Sequence, residues 1–173
     1  MKKILIIGSS GAGKSAFAKA LSRILGIPVC HLDVLYWKPD WTESPPDEFE
    51  AKQREILENE VFIIDGYYGL TFPMRLDKAD TVFWLDFNRF VCFYSAVKRR
   101  IKHRNKVRSD MGSGCVEKID KMFVMWILYH YPKQRKRIFT QLSEWKGNVV
   151  IFKNRRRMKE YLKSIDNCGG AGF

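Results

Sequence analysis

Gly8-Ser9-Ser10-Gly11-Ala12-Gly13-Lys14-Ser15 is the stretch that decides how this chain folds. It follows the apolar run Ile4-Leu5-Ile6-Ile7 and opens a segment of helical pattern, Ala16 to Leu25. The spacing G-x-x-x-x-G-K-[ST], set between a strand and a helix, is that of a phosphate-binding loop. Glycines let the backbone curl until successive N–H groups point into one concavity, and the helix N-terminus adds partial positive charge. Gly8, Ser9, Ser10, Gly11, Ala12, Gly13, Lys14, Ser15 and Ala16 are therefore the candidate nucleotide-binding residues. Lys14 is placed to reach the β- and γ-phosphates, and the Ser15 hydroxyl to hold a phosphate-bound Mg²⁺. ATP and Mg²⁺ are the expected cofactors.

The rest of the composition sets limits around that loop. A chain of 173 residues, 46% of them hydrophobic, is long enough for one domain with a substantial core. A single domain over 1–173 is expected. No apolar run approaches the roughly 20 residues that span a bilayer. The apolar run after Lys2 and Lys3 is too short for a signal peptide, so a cytoplasmic protein with no membrane partner is expected. Cys30, Cys92, Cys115 and Cys168 form no C-x-x-C pair, which points to reduced thiols rather than zinc or disulfides. The formal net charge of +12 favours phosphate-rich partners, either nucleotides or nucleic acid.

Read in order, the chain alternates. Ser15 to Leu25 is an amphipathic helix with Phe17, Leu21, Ile24 and Leu25 inward, and Gly26 ends it. Ile27 to Leu32 reads as a second strand, followed at once by Asp33. Val34 to Pro46 holds Tyr36, Trp37 and Trp41 between turn residues, and Asp47 to Glu60 is a polar helix. Val61 to Ile64 is a third strand ending at Asp65-Gly66, Thr71 to Lys78 a short helix carrying Arg75, and Thr81 to Leu85 a fourth strand ending at Asp86. Asn88 caps a helix running to about Lys102. Lys106 to Gly114 reads as a mobile loop, and Val116 to Trp145 as helix, kinked or broken at Pro132. Val149 to Phe152 is a fifth strand, Arg155 to Ile165 a closing helix, and the tail from Asn167 is expected to fray. This alternation gives an α/β fold, a parallel sheet with helices on both faces and ligands at the carboxyl ends of its strands. Gly8, Asp33, Asp65 and Asp86 all fall at that edge. Asp65, ending an apolar strand, is the candidate metal carboxylate opposite Ser15.

The order phosphate loop, His31-Leu32-Asp33, Phe62-Ile63-Ile64-Asp65-Gly66, then a basic helix and loop, resembles the small P-loop kinases related to adenylate, shikimate and gluconate kinases. More narrowly, His31-Leu32-Asp33-Val34-Leu35-Tyr36-Trp37, Asp65-Gly66-Tyr67-Tyr68 and Arg108-Ser109-Asp110-Met111 are similar to bacterial adenylate-kinase-like proteins named DNA topology modulation proteins. The resemblance implies a P-loop NTPase three-layer α/β/α fold with a five-stranded parallel sheet in order 2-3-1-4-5. It also implies an acceptor-binding segment over 34–60 and a helical, arginine-bearing lid over about 103–118. Asp33 matches the carboxylate that shikimate-type kinases place near the acceptor hydroxyl. Arg100, Arg104 and Arg108 match lid arginines that stabilise the transferring phosphoryl group, and Arg135, with Arg137, the return side of the lid against the nucleotide. Asp65-Gly66 continues as Tyr67-Tyr68-Gly69 where adenylate kinases have Phe-Pro-Arg. The arginine that would hold a monophosphate is therefore absent from its place, and Arg75 is the candidate replacement.

Tyr36 and Trp37 with Trp41 have two readings, a pocket that stacks an acceptor ring or packing of the segment onto the core. With Asp33, Tyr67 and Arg75, Tyr36 and Trp37 make up the candidate acceptor site. Met122, Phe123, Met125 and Trp126 read as core or lid packing. His31, His103 and His130 look isolated, and Cys115 as the lid's only cysteine excludes a zinc-held lid. The leading expectation is a kinase that transfers the γ-phosphoryl group of ATP to a small-molecule or nucleoside acceptor. The alternative is an ATP-binding protein that holds DNA through its basic runs at 98–108, 133–137 and 153–159, although no helix-turn-helix or zinc finger is visible.

Overall fold

The computed structural model describes residues 1–102, 110–112, 114–115 and 121–169. Arg104 and Arg108, His103, and most of the 103–118 lid segment lie outside the described residues. In chain order the elements begin with β1 (Lys3–Gly8), α1 (Lys14–Leu25), β2 (Val29–His31) and α2 (Leu32–Tyr36). A small hairpin, β3 (Trp37–Lys38) and β4 (Thr42–Glu43), closes over the 3₁₀ turn Pro39–Trp41, and α3 (Pro46–Leu57) follows. Then come β5 (Phe62–Asp65), α4 (Phe72–Lys78), β6 (Thr81–Leu85) and α5 (Arg89–Lys102). The rest is α6 (Lys121–Met125), a π-helical stretch (Trp126–His130), α7 (Tyr131–Glu144), β7 (Asn148–Phe152) and α8 (Arg155–Gly169).

Five strands pair in parallel in the order β2-β5-β1-β6-β7. The apolar runs explain why. Ile4, Leu5, Ile6 and Ile7 are all fully buried, as strands covered on both faces must be. The pleat then divides them. Ile4 and Ile6, with Ile63, Phe83 and Leu85, join Phe17, Ala18 and Leu21 of α1, Cys92 and Ala96 of α5, and Met158 of α8 in one core. Leu5 and Ile7, with Ile64, Val82 and Trp84, meet Leu32 of α2, Phe49 of α3, Phe72 and Leu76 of α4, and Tyr131, Ile138 and Leu142 of α7 in the other. The result is a three-layer sandwich.

Four local readings change. The strand after α1 is shorter than Ile27 to Leu32, because Leu32 already begins α2, and this puts Asp33 in a helical turn. The chain passes Pro132 without breaking. Proline has no N–H to give, and the turn before it widens so that Tyr131 N–H reaches Trp126 O. The closing helix runs past Ile165 to Gly169. Met122, Met125 and Trp126 are exposed rather than packed, whereas Phe123 does pack against the first core.

Arg75 also lies elsewhere than expected. Its side chain is fully buried, and its guanidinium donates to the carbonyls of Gly66 at 2.9 Å, Tyr68 at 2.9 Å and Thr71 at 3.3 Å, and to that of Tyr67. Burial pulls its pKa down to about 9, which still leaves it charged at neutral pH. It therefore pins the loop between β5 and α4 from inside and offers nothing to an acceptor phosphate.

Two stability measurements follow from these buried polar contacts. Arg75→Met strips the loop carbonyls of their donor, and a loss of at least about 3 kcal/mol is expected in chemical denaturation. A wild-type midpoint would contradict the account. Trp84 Nε1–H donates to Tyr131 Oη at 3.1 Å across β6 and α7. Tyr131→Phe leaves that indole N–H buried and unpaired, so denaturation should register about 1–3 kcal/mol less stability.

Candidate nucleotide and acceptor site

The carboxyl edge of the sheet collects the site. In the phosphate loop Gly11 has φ 81°, and a Cβ there would collide with the carbonyl of Cys92 on α5. Gly13 has φ 96° and is the N-cap of α1. No side chain caps that helix and no acidic residue stands in its first turn, so its first N–H groups and its positive end face outward. Ser15 lies in this turn. Lys14 curls along the loop and its Nζ donates to Ser9 O at 3.2 Å. Ala12 N–H bonds back to Ser9 O at 3.2 Å, closing the curl. From the start of α8, Arg155 reaches over to donate to Gly11 O at 3.1 Å and Ser95 Oγ at 2.7 Å. Arg155 was legible only as a member of a basic run. No sequence pattern shows its contact with the loop, since 144 residues separate Arg155 from Gly11.

Next to the loop, Asp65 closes β5 with its neighbours in register, Ile6 on one side and His31 on the other. Its Oδ2 lies 2.8 Å from His31 Nδ1. Its Oδ1 is buried without a hydrogen-bond partner. A buried carboxylate oxygen with nothing to accept is costly, and a cation or its water shell would satisfy it. Ser15 and Asp65 thus fit a divalent ion brought in with nucleotide phosphates. His31, which looked isolated, is its partner. The signal was present in the order of the strands, because an apolar strand ending in His31 pairs beside one ending in Asp65.

On the far side of Asp65 the loop turns to the 34–60 segment. Tyr68, in a left-handed conformation with φ 37°, donates its hydroxyl proton to Asp33 Oδ1 at 2.7 Å. Burial and the Asp33 carboxylate push the Tyr68 phenol well above its ordinary pKa, so it stays a donor. Tyr68 was missed, and 35 residues separate it from Asp33 with no shared pattern. Tyr36 packs its ring against those of Trp37, Phe49 and Tyr68, with centroids 4.9, 5.0 and 4.8 Å away. Burial and Glu43 raise its phenol to about 12. These rings form one cluster that packs the segment beside Asp33. Trp37 is further fixed by the chain beyond α5, for a Cβ on Gly112 would strike its carbonyl, and Cys115 Sγ lies 3.2 Å from Lys38 O. Tyr67 points inward against Phe72, its ring centroid 5.2 Å away, and its buried hydroxyl has no partner.

Arg135, expected on the return side of the lid against the nucleotide, meets a carboxylate of its own chain. It grips Asp86 with two bonds of 2.8 Å, and Lys153 binds the same carboxylate. Burial raises the Asp86 carboxyl, but the hydrogen bonds from Arg135 and Lys153 outweigh it and hold the pKa below the usual range. A carboxylate this buried needs cations, and Arg135 is one of them. Arg100 stands half-exposed at the last turn of α5. In the third basic run, Lys153 and Arg155 make the internal contacts just described, and Arg156 pairs with Glu160 at 2.8 Å. The cations of that run nevertheless stay exposed, Arg157 and Lys159 among them.

No protein-family model matches the sequence, and no curated protein matches it. Solved structures match its fold. A shikimate kinase from Bacteroides thetaiotaomicron superposes with a TM-score of 0.56 at 18% identity, covering 95% of this chain and 96% of that one. A shikimate kinase from Acinetobacter baumannii, in complex with shikimate, gives 0.58 at 13% identity over 95% of this chain and 90% of that one. A deoxyadenosine kinase from M. mycoides with bound dATP gives 0.53 at 17% identity, over 97% of this chain and 98% of that one. The chain shares its α/β fold, a parallel sheet with flanking helices, with these solved structures.

Proposed function

We propose that this chain is a P-loop phosphotransferase that moves the γ-phosphoryl group of ATP to a hydroxyl of a small acceptor. The observation that carries the reading is one sheet edge holding an uncapped glycine loop, a carboxylate with an unpartnered buried oxygen, and Asp33 beyond it among aromatic rings. Residues 8–16 would cradle the phosphates with backbone N–H groups, and Lys14 would leave Ser9 O for the β- and γ-phosphates. Ser15 and Asp65 would hold Mg²⁺, which neutralises charge on the transferring group. Asp33 would orient the acceptor hydroxyl and take its proton as the new P–O bond forms. On the resemblance alone, Arg100 is assigned to the phosphoryl oxygens, together with Arg104 and Arg108.

The chemistry of the acceptor side supports an alcohol carried on a ring, of the kind the neighbours' shikimate and deoxyadenosine represent. Asp33 suits a hydroxyl, and Tyr36, Trp37 and Tyr68 suit a flat or cyclic body. Arg75, turned inward, gives no support to a nucleoside monophosphate. The kinase structures that share the fold give no support to the DNA-binding alternative, and we place the protein in the cytoplasm on the same reading. No helix of the described residues is long and apolar enough to cross a membrane.

ATP turnover with a panel of nucleosides, nucleotides and hydroxylated ring metabolites tests the proposal. One acceptor should raise ADP release, and Lys14→Ala should cut the stimulated rate by about 10²–10³-fold, the usual effect of removing one transition-state donor. Binding of ATP without stimulation by any acceptor would overturn it. With the acceptor in hand, Tyr68→Phe keeps the ring and deletes the bond to Asp33. It should lower kcat/KM for the acceptor by about 10–100-fold, a charge-assisted hydrogen bond, and leave KM for ATP unchanged. An unaltered acceptor kcat/KM would remove the Tyr68–Asp33 bond from the acceptor site.

A further inference from the structure

The His31–Asp65 pair has a feature that phosphate binding does not require. Both side chains are buried, at 9% and 5% exposure. An ionised carboxylate can only accept, so the imidazole facing it at 2.8 Å carries its proton on Nδ1. The pair leaves two buried atoms without partners, His31 Nε2 and Asp65 Oδ1. The following backbone N–H, that of Gly66, is already bonded to Ile6 O at 3.1 Å and cannot fix the carboxylate instead. The turn is tightly built, since a Cβ on Gly66 would sit 2.9 Å from Leu32 Cβ, directly after His31.

We propose that His31 is a positioning residue for the divalent cation. Its Nδ1–H holds Oδ2 of Asp65 and thereby turns Oδ1 toward the ion that enters with the nucleotide. The inference rests on the nucleotide and Mg²⁺ reading above and adds a residue to it. A carboxylate held at one oxygen cannot rotate, so the ion finds its ligand already aimed. Outer partners of this kind typically change metal affinity 10–100-fold.

Mn²⁺ uptake by the full chain in the presence of ADP, followed by electron paramagnetic resonance, reads this directly without any acceptor. Calorimetric ADP binding in EDTA serves as the control. His31→Phe keeps a ring but no donor, and should weaken Mn²⁺ about 10–100-fold while metal-free ADP affinity stays put. His31→Asn, whose amide nitrogen can stand where Nδ1 stood, should restore most of the loss. His31→Gln sets its amide farther out and gives a second donor-loss variant should the phenylalanine fail to fold. Combined with Asp65→Asn, His31→Phe should add nothing further. Wild-type Mn²⁺ affinity in both donor-loss variants, or an equal loss with and without Asp65, would overturn the positioning role. If Asp65→Asn alone binds Mn²⁺ like the wild type, the inference falls and the nucleotide reading stands. If the wild type with ADP takes up no Mn²⁺, the metal reading falls, and this inference with it.

Discussion

An α-helix must do something with the N–H groups of its first turn, and α1 leaves them to the solvent side of the phosphate loop. That constraint organises the surrounding structure. The curl depends on residues with no side chain, because α5 presses its backbone against Gly11. The four buried apolar residues of β1 hold the loop rigidly above both cores. Under the proposed function the loop accepts an anion without rearranging, and a central parallel strand supplies the fixed base this needs.

The other polar groups around the edge show the same economy of partners. Three buried charges at this edge are each matched by specific neighbours. Asp86 has Arg135 and Lys153, Asp65 has His31, and Arg75 has a ring of loop carbonyls in place of a counter-ion. In a medium of low polarisability such groups are tolerated only in pairs or networks. The pairing also separates their tasks. Asp86 is occupied, Asp65 keeps an oxygen in reserve, and Asp33 is gripped by a phenol that stays protonated.

Most of the architecture was legible because it depends on short-range pattern. Apolar runs of four or five residues, glycine after the helix at Gly26, and Asn88 before α5 each act within a few residues, and Asn88 Oδ1 does accept from Phe90 N–H at 2.9 Å. The loop was legible for the same reason. What the sequence did not disclose were contacts between distant segments. Arg75 reads as an available cation until the carbonyls around it are placed, and Arg135 reads as a nucleotide ligand until Asp86 is set beside it. Tyr68 stood only within a short motif and Arg155 only within a basic run, and neither signal gave its contact, since their roles depend on where two remote elements cross. His31 is intermediate, for its partner follows from strand order but only once that order is assumed.

The wide turn before Pro132 has a consequence for how such a chain can change over evolutionary time. A π turn amounts to one extra residue in a helix, and one residue advances the helix face by about 100°. Arg135 lies just downstream of it and meets Asp86 with both arms of its guanidinium. Removal of a single codon from the 126–130 stretch would restore a regular helix and, because the wide turn takes up the extra residue locally, leave that cation facing the sheet edge. The wide turn thus lets this stretch carry one residue more while the side chains of α7 keep their face toward Asp86.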